Sequence, residues 1–174
     1  MDAEMKLDQL SEFIPILQNV AAIVPESLWR RRARDGRFAF VEHLWHLADL
    51  EEEFGRRIER LLVETNPVLA DFPGERIALL RRYIDQEGAP ALDRYRHTRA
   101  ANIQLFADLR ASDWSRGGAQ EQMGEVTIES VLYAMLQHDI AHANDLVALL
   151  PELGAPVSPE LAGFAERSPL ARSA

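Results

Sequence analysis

The stretch from Ile128 to Leu150 constrains this chain more than any other. Ile128, Val131, Leu132, Met135, Leu146, Leu149 and Leu150 recur at three-and-four spacing, the period of an α-helix with one buried face. His138 and His142 fall in the same stripe. Residues four apart on a helix sit one above the other, so both imidazoles point toward the core. A neutral imidazole carries one donor and one acceptor, and leaving either unpaired in an apolar interior costs about 1–3 kcal/mol. A carbonyl or carboxylate commonly satisfies one core histidine. Two stacked in one stripe bring in a second reading, a metal ion that satisfies both acceptors together.

The rest of the chain repeats the helical period. Leu10, Phe13, Ile14, Leu17, Val20, Ala21 and Val24 predict a first helix from Leu7 to Val24, which Pro15 either kinks or begins. A second runs from Phe38 to Glu64 and closes at Asn66-Pro67. A short one fits Gly74 to Ile84, and a third long helix spans Pro90 to Arg110. Thr127 is a suitable N-cap for the fourth long helix, which Pro151 stops. No segment alternates as a half-buried strand does, so the expected fold class is all-α, a four-helix bundle over residues 1–151. Residues 152–174, with three prolines, are expected to be a loosely attached tail.

With 174 residues, 47% of them hydrophobic and 27% charged, the chain can bury a core as one domain. It has no cysteine, so any metal must be held by imidazole or carboxylate. A net charge of −9 opposes nucleic-acid binding, which needs a basic surface. Neither an apolar leader nor eighteen consecutive apolar residues occurs, so a cytoplasmic protein without membrane partners is expected. One local exception to the acidic balance is Arg30, Arg31, Arg32, Arg34 and Arg37 around Asp35-Gly36. They read as a solvated loop pairing with nearby acids, or as an attractant for an anionic substrate. The acidic run Glu51 to Glu53 reads as a solvated helix face.

If a metal is bound, a third nitrogen should come from a facing helix. His97 lies opposite Tyr95, Ile103 and Phe106 and reads as a surface residue. In the second helix, Val41, Leu44, Leu47, Phe54 and Ile58 define the apolar face, with His43 at its edge and His46 nearer the polar side. Periodicity leaves the choice between them open.

Asp35-Gly36-Arg37-Phe38 followed by Glu42-His43-Leu44-Trp45-His46-Leu47-Ala48-Asp49 resembles the second-helix motif of the DinB-like (YfiT-type) metalloprotein superfamily, and Gln137-His138-Asp139-Ile140-Ala141-His142 resembles its closing motif. The resemblance implies that the histidine directly before Leu-Ala-Asp is the ligand. His46, His138 and His142 would then hold one divalent transition metal, zinc or nickel, and His43 becomes a neighbour. It further implies a homodimer, and a metal-dependent enzyme that transfers a low-molecular-weight thiol or hydrolyses a small-molecule substrate. Three protein ligands leave a coordination position open, as catalytic sites do. Asp139 is expected to orient a ligand histidine, and Glu42, Asp49 and Glu51 are candidate proton acceptors, unless Asp139 or Glu51 swings in as a fourth ligand. The alternatives are a metal-binding or stress-response bundle without turnover and a bundle whose histidines bind nothing. The Glu-x-x-His repeats of di-iron bundles and the His-Glu-x-x-His motif of metalloproteases are absent.

Overall fold

The computed structural model describes residues 3–121 and 124–167. Four long helices carry the fold, α1 (Ala3–Ile23), α2 (Phe40–Val63), α4 (Gly88–Ala107) and α5 (Ile128–Glu152), with α3 (Gly74–Leu80) and α6 (Pro159–Ala165) as short additions. The expected all-α bundle is the architecture found, and no described helix is long and apolar enough to cross a membrane. The connectivity is less simple. Both α1 and α2 pack on α4 and on α5, so the two helices that follow one another in sequence stand diagonally opposed. Residues 24–39 therefore cross one end of the bundle.

The helix ends follow from local chemistry. Glu42, in the first turn of α2, accepts a hydrogen bond from the Ala39 backbone at 2.9 Å and pairs with Arg32 at 2.5 Å. Thr127 caps α5 as expected: its Oγ1 accepts from the Ser130 backbone at 3.1 Å, and Ser130 Oγ accepts from the Thr127 backbone at 2.8 Å. Pro15 lies inside α1, which begins at Ala3, so it does not mark the first turn. Pro151 sits in the last turn of α5, one residue before its end, and the chain turns away at Gly154 with φ +74°.

Although no segment alternates as a half-buried strand does, the loops between the long helices hold a small sheet. β1 (Val68–Leu69) pairs in parallel with β2 (Gly117–Gln120), which pairs antiparallel with β3 (Gly124–Thr127). These strands are too short and too glycine-rich to show alternation. Gly118 is required there, since a Cβ would lie 2.4 Å from the Pro67 carbonyl oxygen.

A charged layer divides the core. Arg99 of α4 is buried, and its Nη1 donates to the Leu10 carbonyl of α1 at 3.1 Å and to Asp139 of α5 at 2.6 Å. Its Nη2 donates to Asp139 at 2.9 Å and to Glu51 of α2 at 2.8 Å, so one guanidinium touches all four long helices. Asn102 completes the layer through Glu51, donating to its side chain at 2.8 Å and its carbonyl at 2.9 Å. On one side lie Phe13, Leu17, Leu44, Tyr95 and Leu146; on the other, Phe54, Ile58, Phe106, Ile128 and Leu132.

The segment expected to be a loose tail is docked through α6. Ser158 caps that helix with Pro159 in its first turn, and Leu161 and Phe164 are fully buried. The Phe164 ring stacks on Phe13 at 5.0 Å between centroids, and Asn144 donates to the Ala165 carbonyl at 3.0 Å. The remainder of the expected tail, residues 168–174, lies outside the described residues.

Two outcomes follow for stability. Arg99→Leu leaves two buried carboxylates without their cation and should cost about 3–5 kcal/mol in urea unfolding, whereas Arg96→Leu on the exposed face of α4 should stay within about 0.5 kcal/mol. Phe164→Ala should cost about 3–5 kcal/mol; an unchanged midpoint would mean that α6 contributes nothing to the core.

Candidate metal centre

The diagonal arrangement sets α2 beside α5, and the histidines meet at that interface. His46 Nε2 lies 3.3 Å from His138 Nε2, although the two residues are 92 apart in sequence. Ring centroids are 5.1 Å apart for His46 and His138, 5.0 Å for His46 and His142, and 4.5 Å for His138 and His142. Each ring offers a nitrogen within 4.8 Å of the others. The three residues expected to act together are thus together. His97, expected on the surface, is exposed and hydrogen-bonds to the Asp93 carbonyl in its own helix.

His46 and His142 are buried and His138 half-buried, against the rings of Phe38, Phe54 and Phe72. This apolar shell disfavours the imidazolium. Burial, above all, lowers His46 to about 4 and His138 to about 3, with neighbouring imidazoles adding to the effect at His138. His142 is pushed well below the ordinary histidine range for the same reasons. The rings are therefore neutral, the form that donates a lone pair to a metal.

His46 owes its position to α3. Gly74 packs so closely on the ring that a Cβ there would stand 2.4 Å from Cε1 and 2.9 Å from Nδ1. That Nδ1 is buried without a hydrogen-bond partner among the described residues.

The donor set fits a transition metal. Two nitrogens bound at about 2.0–2.1 Å to a tetrahedral ion lie about 3.3–3.4 Å apart, the separation of His46 and His138. A second grouping, His43, His142 and Asp145, is equally compact but chemically different. Its His43 Nδ1 to His142 Nδ1 distance is 2.7 Å, short for two ligands of one ion and normal for a hydrogen bond, and Asp145 is paired with Arg37 at 2.7 Å.

The acids take other roles than expected. Asp139 does not orient a histidine; it faces Arg99, and burial pushes its carboxyl up to about 6 despite that cation. Glu51 meets Arg99 and Asn102, so neither acid is free to become a fourth ligand. Asp49 takes the Tyr83 hydroxyl and pairs with Arg81 at 2.6 Å and Arg94 at 3.0 Å. The run Glu51 to Glu53 is not simply solvated: Glu51 is buried, Glu52 pairs with Arg94, and Glu53 with Arg57 at 3.0 Å.

A cavity of about 620 Å³ opens over His46 and His142. Arg32, Arg37 and Phe38 wall one side, Glu75 and Leu79 of α3 another. Three of the five arginines pair with acids as the solvated-loop reading expects: Arg32 with Glu42, Arg37 with Asp35 at 2.6 Å and with Asp145, and Arg30 with Glu87 at 3.2 Å. Of the three acids singled out in α2, only Glu42 lines the cavity.

Known proteins share this architecture. One solved structure, described as "YfiT from Bacillus subtilis is a probable metal-dependent hydrolase with an unusual four-helix bundle topology", superposes with a TM-score of 0.74 at 19% identity, covering 87% of this chain and 90% of that one. A mycothiol-dependent maleylpyruvate isomerase superposes with a TM-score of 0.70 at 14% identity, covering 95% of this chain and 68% of that one. No curated protein sequence matches the chain. The family model of the DinB superfamily matches residues 9–146, and the chain belongs to that superfamily.

Proposed function

We propose that the protein is a metal-dependent enzyme in which His46, His138 and His142 hold one divalent transition metal, zinc or nickel, and which hydrolyses a small molecule or transfers a low-molecular-weight thiol. The observation that carries this reading is the convergence of three neutral imidazoles, two of them at the spacing of tetrahedral ligands, under an open cavity. When bound, such a metal lowers the pKa of a water or thiol and presents a nucleophile at neutral pH. Among the structural relatives one is called a probable metal-dependent hydrolase and another a mycothiol-dependent isomerase, which supports weighing a hydrolytic and a thiol-using reaction together.

The chain's own residues do the rest. Phe38, Phe54 and Phe72 cover part of the His46 and His138 rings and so disfavour their protonated form. Gly74 fixes the tilt of His46 by leaving no space behind it. Phe38, Ala78 and Leu79 give the cavity an apolar share among its charged groups, which suits a substrate with an apolar body and polar ends. A metal-holding bundle without turnover is the competing reading, and the cavity over His46 and His142 favours the enzyme.

Metal analysis of the untagged protein should find about one equivalent of zinc or nickel per chain. His142→Ala should lose most of it with little change in helicity, while His97→Ala keeps it; full retention by the His142 variant would remove the assignment. Gly74→Ala should weaken metal binding by about 10–100-fold through displacement of His46, in the range seen when a ligand's support is lost, readable by competition with a chromogenic chelator.

A further inference from the structure

His43 is 1% exposed and lies outside the histidine triad, yet it makes the shortest contact any of these rings makes. Its Nδ1 stands 2.7 Å from Nδ1 of His142. Two imidazole nitrogens at that distance share one hydrogen: two would collide, and none would set lone pair against lone pair. Which ring owns it decides what His142 can do. If His43 owns it, neutral His142 carries its hydrogen on Nε2, the nitrogen left for the triad, and has no lone pair there. If His142 owns it, Nε2 is an open donor.

The role proposed for His142 chooses the second arrangement. Its Nδ1 is already engaged by His43 at 2.7 Å, so Nε2 is the nitrogen it can turn to the triad, and a ligand nitrogen must carry a lone pair. Neutral His142 then has its one hydrogen on Nδ1, and Nδ1 of His43 stands in place to accept it. We infer that His43 is a positioning residue that accepts the Nδ1 hydrogen of His142 and thereby holds Nε2 of His142 as the open donor of the triad. The inference rests on the proposed metal site. Ligand histidines ordinarily give their second N–H to a carboxylate, carbonyl or water. An imidazole acceptor sets the same tautomer without adding negative charge beside the metal.

The test uses the metal-free protein first. In histidine side-chain 15N spectra, His142 should show the Nδ1–H tautomer in the wild type. His43→Phe should lose that preference and weaken cobalt(II) binding, read from its visible absorption, by about 10–100-fold. His43→Asn should restore both, because Oδ1 of asparagine occupies the place of Nδ1 and accepts the same hydrogen; a merely structural role would not separate the two variants. The inference is overturned if wild-type His142 is the Nε2–H tautomer, if His43→Phe binds cobalt(II) as the wild type does, or if His43→Asn is no better than His43→Phe. A wild type that binds no cobalt(II) would sink the metal reading, while the tautomer spectrum would still decide the role of His43.

Discussion

One guanidinium holds this bundle in register. Arg99 reaches a backbone carbonyl of α1, a carboxylate of α2 and a carboxylate of α5 from its own place in α4, so no long helix can slide or turn without breaking a buried charged contact. Apolar packing alone is tolerant of small shifts, because leucine and phenylalanine can repack. Buried charge is not tolerant, since a carboxylate separated from its partner in the interior loses several kcal/mol. The layer thus converts a generic helical bundle into one with a single alignment of α2 against α5.

The candidate site depends on that alignment. Asp139, held by Arg99, immediately follows His138 and lies one turn before His142, so fixing its position fixes the pair. Glu51 anchors α2 in the same layer, little more than a turn beyond His46. The charged layer and the histidine cluster are therefore adjacent levels of one interface. Rigid support of this kind keeps donor nitrogens close to the productive spacing without help from a ligand.

Much of this was legible in the sequence, and the gaps have physical causes. The stripe from Ile128 to Leu150 places His138 and His142 on its inner face, where His142 is buried and His138 half-buried. His46 was harder, because the α2 wheel sets it nearer the polar side; it is buried because α3 covers that side, and a single-helix pattern carries no record of what a later element will cover. The buried acids of α2 were hidden for the same reason, each waiting for a cation or hydroxyl from elsewhere. Arg99 and Asn102 could have been found: with Leu92, Tyr95 and Phe106 they complete one three-and-four stripe, and a polar residue in such a stripe asks for a partner. The pair Ser158-Pro159 ahead of Leu161 and Phe164 likewise carries a helix-start signal in the segment expected to be loose. The strands left no comparable trace.

The diagonal placement of α1 and α2 also governs the order in which the chain can assemble. In a simple hairpin bundle the first two helices cover one another as soon as they are made. Here α1 and α2 both wait for α4, and neither apolar face is closed until α5 has followed. The first half of a nascent chain thus holds two amphipathic helices without their main partners, a state in which exposed apolar surface invites association with other chains. The charged layer and the histidine cluster are completed in the same late event, the docking of α5. No shorter product of synthesis or proteolysis lacking that helix contains either one.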